Sequence, residues 1–288
     1  MFKKLPTIVV LFFYVLPGFA QNADSIGVVK TKWQKTRIAR EVKLFRHHFN
    51  NNNLFAANEN ISFIEVKNSG RKAVFALGAE EKELLTTSDF GRRDTAIVAL
   101  NGNFFDVKNG GSVDFVRVNG KIINTNQLGK NNDRAKHQKS AIVIEKGKIA
   151  IKTWDGTADW ETKLTEGNVL LNGPLLIYNG QNEDLDTTSF TQLRHPRTCL
   201  GIKANGRVIL LTVDGRNENS AGMSLPELTK LMKWLGCTSA INFDGGGSTT
   251  LWIDGMPDHG VINYPTDNKK WDHEGQRKIA NVVLVKKK

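Results

Sequence analysis

Two aspartates of this sequence stand where short apolar runs end in glycine-containing turns. Asp214 follows the run 207–213, and Asp244 follows the run 239–243. Both runs are rich in aliphatic and β-branched residues, so each carboxylate is expected at the end of a strand. Paired carboxylates suit glycoside chemistry, in which one acts as acid or base and the other as nucleophile or water activator beside the anomeric carbon.

Three glycines and a serine, at 245–248, come directly after Asp244. Successive glycines are costly to order, and they are kept where the backbone adopts positive φ or approaches a ligand closely. Their amide groups can form an anion-binding nest, and Arg197 and Arg277 would add the bidentate donors that suit a phosphate. A simple tight turn is the alternative interpretation of the glycines.

Carboxylates combined with phosphate-binding groups describe a site for a sugar-1-phosphodiester. Cleavage of the C1–O bond expels a phosphate monoester, a weaker base than a sugar alkoxide, so little general-acid help is required. One carboxylate is then sufficient for the chemistry. We predict Asp244 and Asp214 as the catalytic candidates, one for the chemistry and the other for holding sugar hydroxyls.

Amide side chains beside glycines predict further walls of a substrate pocket. Asn101-Gly102 follows the apolar run 94–100, and Asn172-Gly173 interrupts the apolar run 169–178. A hairpin turn with core phenylalanines is the alternative for the first of these. The predicted substrate-binding residues are Asn101, Gly102, Asn172, Gly173, Arg197, Thr198, Gly215, Asn242, Gly245, Gly246, Gly247, Ser248 and Arg277.

Turn residues and helix caps predict the elements that position these groups. Three two-residue turns between β-rich runs predict hairpins; they are Asn119-Gly120, Lys146-Gly147 and Asn205-Gly206. Ser224 to Glu227 has the pattern of a capping box and begins the one clear amphipathic helix, which ends at Gly236. Weaker helical signals lie at 36–49 and near Ser88. Strand candidates outnumber helices and do not alternate with them, so the predicted class is α+β, with a large mixed or antiparallel β-sheet core and a few flanking helices.

The same motifs, in the same order, resemble the phosphodiester glycosidase family. The resemblance rests on His-Pro-Arg-Thr at 195–198, Thr-Val-Asp-Gly at 212–215, Gly-Met-Ser-Leu at 222–225 and Ala-Ile-Asn-Phe-Asp-Gly-Gly-Gly-Ser at 240–248. It extends to 101–105, 264–265 and 277–283, and the sequence departs from the usual family pattern at Asn103 and Phe243. The resemblance implies hydrolysis at an α-linked sugar-1-phosphate of the N-acetylglucosamine type, with Asp244 as acid/base or nucleophile.

The first twenty residues have the pattern of a secretory signal peptide. A basic start, an apolar run at 5–19 and small residues at Gly18 and Ala20 predict cleavage after Ala20. Pro6 and Pro17 leave too few apolar residues between them for a membrane anchor. We therefore expect an exported protein, periplasmic or secreted, without stable membrane insertion.

The length and the net charge of the chain limit the possible domain organisation and the possible binding partners. We predict a signal peptide at 1–20, an N-terminal region at 21–90 that is part of the same globular unit, and a phosphodiester glycosidase domain at 91–288. The formal net charge is +11, carried largely by dispersed lysines. It fits either a solvated surface or attraction to anionic glycans and phosphorylated envelope polymers. A nucleic acid partner is not predicted, because no recognisable binding module is present.

The cysteines and histidines do not form a metal-ligand pattern. Cys199 lies in a predicted strand and Cys237 just before one, and both positions are typical of buried small apolar residues; export would also allow a disulfide between them. The histidines lack ligand spacing; those downstream are His137, His195, His259 and His273. We predict no metal and no cofactor.

Two other function classes remain open from the sequence. A non-catalytic carbohydrate- or exopolysaccharide-binding protein would keep the aromatic and amide residues but would not need carboxylates paired with arginines. A phosphodiesterase that cuts the P–O bond would keep the arginines but usually uses a metal cluster, which the histidine spacing does not supply. The preferred substrate is a phosphorylated glycan or sugar phosphate.

Overall fold

The computed structural model describes residues 23–129 and 133–288. The predicted signal peptide lies outside the described residues. In chain order, strands β1 to β17 are Gln34–Ala39, Val42–Leu54, Ala57–Lys67, Ala73–Ala79, Val98–Asn101, Val116–Val118, Lys121–Asn124, Ser140–Glu145, Lys148–Thr153, Asn168–Leu171, Leu175–Tyr178, Gln181–Asn182, Arg197–Lys203, Arg207–Val213, Cys237–Asn242, Leu251–Ile253 and Asn281–Lys287. Helices α1 to α5 are Ala23–Lys30, Thr87–Arg93, Trp160–Lys163, Ser189–Gln192 and Leu225–Trp234.

The strands form three sheets in the described part of the chain. The largest has eight strands in the order β1-β2-β3-β14-β13-β15-β11-β12, the second has five in the order β7-β6-β10-β8-β9, and the third has four in the order β16-β5-β17-β4. Each pairing within them is antiparallel. This arrangement confirms the predicted α+β class with a β-sheet core.

Residues before the predicted glycosidase domain contribute strands to two of these sheets. β3 pairs with β14 from Ile61↔Val213 to Lys67↔Arg207, and β4 pairs with β17 along seven residue pairs. The helical signal at 36–49 is wrong, because these residues form β1 and β2. Val42 and Leu44 are both fully buried two positions apart, and the hairpin with β3 fixes this period of two over the local helical pattern.

The other local predictions are confirmed. The three predicted turns join β6 to β7, β8 to β9 and β13 to β14. In α5 the capping box is formed, because Ser224 Oγ accepts from the amide of Glu227 at 3.3 Å and the Glu227 carboxylate accepts from the amide of Ser224 at 2.9 Å. The weak signal near Ser88 corresponds to α2. Of the helices in the described residues, none is long and apolar enough to cross a membrane.

Apolar side chains fill the space between the sheets and the space under α5. The larger cluster includes Leu44, Ile64, Leu100 and Leu200, and a second cluster places α5 residues such as Leu228 against the eight-stranded sheet. Both cysteines are buried free thiols in this second cluster, in agreement with their interpretation as small apolar residues. The strand ends β5, β13 and β15 meet at one edge of this core, where the polar residues collect.

Candidate active site

Asp244 lies in the turn between β15 and β16, held by the segment that follows β5. Its amide donates to the carbonyl of Gly102 at 3.1 Å, and its carbonyl accepts from Asn101 Nδ2 at 2.7 Å. Asn101 is buried, and its Oδ1 accepts from Thr198 Oγ1 at 2.7 Å and from the amide of Thr250 at 3.1 Å. The fold therefore brings Asn101, Gly102, Thr198 and Asp244 together as predicted, but Asn101 and Thr198 hold the backbone of the turn instead of facing a ligand.

The carboxyl group of Asp244 is only partly accessible to solvent. Burial raises its pKa to about 6, although the Ser248 hydroxyl and the positive charges of Arg277 and His137 favour the ionised form. Ser248 Oγ is itself buried and has no hydrogen-bond partner of good geometry among the described residues. A carboxyl group with a pKa near neutrality is suited to accept or donate a proton.

Two guanidinium groups lie on either side of the glycine turn. Gly246 has φ of +59°, and a Cβ added there would lie 3.1 Å from Arg216 Nη2. A Cβ at Gly247 would lie 2.5 Å from Arg277 Nη2. Glycine at 246 allows both the positive φ and the close approach to Arg216, and glycine at 247 allows the close approach to Arg277. A role of this turn in catalysis stays a prediction.

Each of these arginines has its own support. Arg277 donates through Nε and Nη2 to Asp267 Oδ1 at 2.9 and 2.5 Å, which fixes its guanidinium beside the turn. Arg216 is exposed, and its Nη2 lies 3.4 Å from His195 Nδ1. Burial lowers the pKa of His195, and the charges of Arg197 and Arg216 lower it further, so His195 is neutral beside the turn at pH 7. The turn is thus flanked by the exposed guanidinium of Arg216 and by the Arg277–Asp267 ion pair, whose Asp267 Oδ1 lies 2.6 Å from the Cβ position of Gly247.

An aromatic-walled cavity of about 350 Å³ adjoins this turn. Its lining includes Phe104, His137, Gly173 and Phe190, with Phe104 4.9 Å from the His137 ring and 6.0 Å from the Phe190 ring. The volume lies within the range of about 300–1,000 Å³ that is typical of small-molecule sites. The cavity is joined to the strand that leads to Asp244, because Gly173 of its lining accepts from Asn242 Nδ2 at 3.0 Å.

His137 is oriented by a buried carboxylate. Its Nδ1 lies 2.8 Å from Asp114 Oδ2, and Asp114 is fully buried and also accepts from Gln138 Nε2 at 2.9 Å. A carboxylate that holds one ring nitrogen sets the orientation of the imidazole and leaves the other nitrogen for a ligand. The pair therefore supplies a fixed polar group on the cavity wall.

The asparagines at 172 and 242 stand behind this cavity. Asn242 Nδ2 donates to the carbonyls of Gly173 at 3.0 Å and Phe243 at 2.8 Å. Two polar atoms, Asn172 Nδ2 and Asn242 Oδ1, are buried without a partner among the described residues. Buried polar atoms are normally hydrogen-bonded, so these two are candidates to contact a substrate.

Four predicted glycines allow close packing of the backbone, and one of them, Gly173, also lines the aromatic-walled cavity. A Cβ at Gly102 would collide with Asn281, at Gly173 with the Cα of His137 at 2.9 Å, at Gly215 with the amide nitrogen of Pro196 at 2.8 Å, and at Gly245 with the carbonyl of Pro196 at 2.6 Å. These contacts bring the predicted segments to one place. The glycines at 102, 215 and 245 are thus positioning residues, which differs from the substrate-binding role that we predicted, whereas Gly173 packs against His137 and also lines the cavity.

Asp214 also differs from its predicted role. The carboxylate is 1% exposed and accepts from Asn60 Nδ2 at 2.8 Å and, at 2.9 Å each, from Asn263 Nδ2 and the amide of Tyr264. Burial raises its pKa, whereas these three donors favour its charge. Both of its oxygens are engaged within the protein. Asp214 joins β14 to the segment after β16, and it is not placed to touch a sugar.

Arg197 is buried, and most of its donor groups are hydrogen-bonded within the protein. Its Nε donates to the carbonyl of Met223 at 2.7 Å, and its Nη2 donates to the carbonyls of Phe190 at 2.6 Å and Leu193 at 3.0 Å. The guanidinium also stacks on Phe190, 4.9 Å from the ring centroid. Only Nη1 has no partner in the described structure. Arg197 therefore positions Phe190, and the fork that we predicted for phosphate is used on backbone carbonyls.

Three groups at the site were missed by the sequence reasoning. His137 and Asp114 carry no local signal, because they come from separate loops and only the fold places them side by side. Arg216 did have a signal, since it follows Asp214-Gly215 at the end of β14. A carboxyl group that precedes a glycine turn approached by two guanidinium groups, together with an aromatic cavity, is the class of site found in a glycosidase that acts on an anionic substrate.

Comparison with known proteins agrees with this class. The model of the phosphodiester glycosidase family matches residues 94–286, and the chain belongs to that family. The N-acetylglucosamine-1-phosphodiester alpha-N-acetylglucosaminidase of Bos taurus is 26% identical over 220 residues, which cover 72% of this chain and 40% of that protein. The SPbeta prophage-derived protein YomE of Bacillus subtilis is 26% identical over 238 residues, which cover 71% of this chain and 35% of that protein. The chain thus spans less than half the length of these relatives.

Two solved structures have the same fold. The catalytic domain of the zebrafish N-acetylglucosamine-1-phosphodiester alpha-N-acetylglucosaminidase aligns with a TM-score of 0.64 at 18% identity, and the match covers 89% of this chain and 88% of that domain. A hypothetical protein from Synechocystis aligns with a TM-score of 0.65 at 13% identity and covers 89% of this chain and 64% of that one.

Proposed function

We propose that this protein is a hydrolase that cleaves the glycosidic C1–O bond of a sugar-1-phosphodiester, with a GlcNAc-1-phosphate-type substrate in glycans or envelope polymers. The observation that carries the proposal is the position of the Asp244 carboxyl group beside a glycine turn flanked by Arg216 and Arg277. Family membership and the printed activity of the Bos taurus relative support it.

The phosphate and the sugar of the substrate bind in two neighbouring parts of the site. The diester phosphate binds at the turn, where Arg277 and Arg216 supply charge and Ser248 supplies an unpartnered hydroxyl. The sugar ring occupies the adjoining cavity against Phe104 and Phe190, because aromatic faces pack well on the apolar faces of sugars. This placement puts C1 next to the Asp244 carboxylate.

Asp244 supplies the proton transfer. Its carboxylate takes a proton from a water molecule while the water oxygen bonds to C1, and the C1–O electron pair leaves with the phosphate monoester. The guanidinium groups stabilise the negative charge on the departing phosphate. A second acid is not needed at the leaving group, which agrees with the observation that Asp214 is closed off by three internal donors.

A substrate comparison tests this proposal. The protein from Gln21 onward should release phosphate monoester from a GlcNAc-1-phosphodiester and should act much more slowly on nitrophenyl GlcNAc, which lacks the phosphate. Asp244→Asn should lose almost all of this turnover, whereas Asp254→Asn, an exposed position after β16, should keep it. Equal turnover of wild type and Asp244→Asn would contradict the proposal.

Export is part of the same proposal, and it is supported by the signal-like pattern at 1–20. The mature protein is expected in the periplasm or medium with Gln21 at its N terminus. N-terminal sequencing checks this, and recovery of Met1 on a cytosolic protein would contradict it. A carbohydrate-binding protein without catalysis is the second candidate, and binding that survives in Asp244→Asn without any wild-type turnover would favour it.

A further inference from the structure

A second cavity, of about 300 Å³, lies on the N-terminal side of the molecule. We name it the cationic cavity and define it by Lys32, Arg46, His47, His48, Tyr264 and His273. Residues 32–62 of its lining lie outside the segment that the family model matches, 94–286. The cavity is therefore formed jointly by the N-terminal strands and the segment after β16.

The permanent charges that line this cavity are of one sign, and the buried Asp214 carboxylate lies behind the lining, bonded to Asn60 and to the amide of Tyr264. Lys32 and Arg46 are permanent cations, three histidines lie beside them, and no aspartate or glutamate lines the described cavity. Asp258, which is 3.6 Å from His273 Nε2, is half exposed and not part of the lining. Positive groups repel one another, so such a cluster costs free energy unless an anion binds among them.

One donor in the cavity lacks an acceptor. Arg46 Nε is buried and has no hydrogen-bond partner among the described residues. An arginine Nε–H that is removed from water normally donates a hydrogen bond, and an unmet donor is destabilising. A bound oxyanion would satisfy it.

The opposite wall is fixed before any ligand arrives. The Tyr264 ring stacks on Trp271 at 4.1 Å with a 3° angle between planes, and it contacts the His273 ring at 4.3 Å. His273 Nδ1 contacts the carbonyl of Asn263 at 2.7 Å, and its Nε2 lies 3.6 Å from the half-exposed Asp258 carboxylate. Preorganised donors of this kind reduce the entropic cost of binding.

We propose that the cationic cavity is a second oxyanion site that binds a phosphate group, distinct from the site at 245–248. The two sites are linked through Asp214, which accepts from Asn60 of the cavity lining and from Asn263 Nδ2, and Asn263 Nδ2 also donates to the carbonyl of Thr249 after the glycine turn. The chain that leaves the cavity at Tyr264 reaches the glycine turn at Arg277. If the proposed function holds, a polymeric substrate with several phosphates would place one at Asp244 and another in the cationic cavity.

Binding of inorganic phosphate tests this site without any turnover. Isothermal titration of the wild-type protein from Gln21 onward should give two phosphate sites. The Lys32→Gln/Arg46→Gln variant should lose one of them, with affinity lowered at least about tenfold. Lys35→Gln/Arg37→Gln is the matched control, because it removes the same charge from residues of β1 that do not line the cavity, and it should keep both sites.

A second measurement needs no variant. In the wild-type protein, phosphate should shift the imidazole NMR signals of His47 and His273. The proposal is overturned if Lys32→Gln/Arg46→Gln binds phosphate like wild type, or if these imidazole signals do not move. Because neither readout depends on hydrolysis, a failure here is distinct from a failure of the proposed enzymatic activity.

Discussion

The carbonyl oxygen of Asp244 accepts a hydrogen bond from Asn101 Nδ2 at 2.7 Å, and this contact joins two segments that are 143 residues apart. The other end of the Asn101 side chain accepts from Thr198 and from the amide of Thr250. One amide group therefore fixes the ends of β5, β13 and β15 around the catalytic candidate. Only a side chain with both a donor and an acceptor can make these contacts.

Asn101→Asp tests this positioning role. The change keeps the size but places a carboxylate oxygen against the Asp244 carbonyl, so a donor is replaced by an acceptor in a buried place. We expect the free energy of unfolding to fall by about 2–4 kcal/mol, measured by urea unfolding. Asn205→Asp, in the exposed β13–β14 turn, keeps its acceptor contact with the amide of Arg207 and should change stability little.

The pH dependence of turnover tests the role of Asp244 as a base. Burial raises its pKa to about 6, and the ionised form is the one that accepts a proton. The value of kcat/KM should therefore rise as the pH passes through about 6 and level off above it. A fall of kcat/KM over the same range would show that Asp244 acts as an acid.

The pH dependence of the melting temperature provides an independent check on the raised pKa of Asp244. A carboxyl group whose pKa is higher in the folded state favours folding below its unfolded pKa and loses that contribution as the pH rises through the folded value. Asp244→Asn should therefore melt at a higher temperature than wild type at neutral pH, and the difference should disappear near pH 4, where both forms are uncharged. Equal melting temperatures at neutral pH would mean that the carboxylate is not destabilised by its surroundings.

Gly246→Ala tests the glycine turn as a device of the backbone. The added Cβ is strained at φ of +59° and would lie 3.1 Å from Arg216, so it displaces the guanidinium or the turn. We expect the rate to fall about a hundredfold and the stability to fall by about 1–2 kcal/mol. Gly255→Ala is the matched control, because Gly255 also has a positive φ, of +71°, but nothing lies within 4 Å of its Cβ. A Gly246→Ala protein that melts many degrees lower but keeps its activity would show that the turn has only a structural role.

The two arginines predicted to bind phosphate should respond differently to lysine. Arg277→Lys keeps the charge at the turn but loses the fork, so kcat/KM should fall at least about tenfold, equal to about 1.4 kcal/mol, with little change in melting temperature. Arg197→Lys loses donors to three buried carbonyls, so its main effect should be on thermal unfolding. A stable Arg197→Lys protein with greatly reduced turnover would show instead that Arg197 binds the substrate.

The sequence predicted those parts of the fold that depend on local chemistry. The Asn-Gly turns, the Ser224 capping box and the strands around Asp244 follow from neighbouring residues, and the structure has them. Residues 36–49 were misread because pairing in the hairpin with β3 decides their conformation over the local helical pattern.

Within the site, the sequence predicted where the site lies more successfully than it predicted the role of each residue. Asp244 and Gly246 stand out through their own local pattern. Whether an arginine or aspartate faces the ligand or the core depends on neighbours that only the fold supplies, as Arg197 and Asp214 show. His137 is held in the site by its contact with Asp114, which is 23 residues away in the sequence, and no local spacing indicates that pair.

The position of bond cleavage is the most direct test of the account. Hydrolysis of a GlcNAc-1-phosphodiester in ¹⁸O-labelled water, followed by mass spectrometry of both products, shows which bond the water attacked. Attack at C1, assisted by Asp244, predicts that the label enters the sugar and that the phosphate monoester keeps its unlabelled mass. Label in the phosphate would mean P–O cleavage, and the proposed role of Asp244 at the anomeric carbon would be wrong.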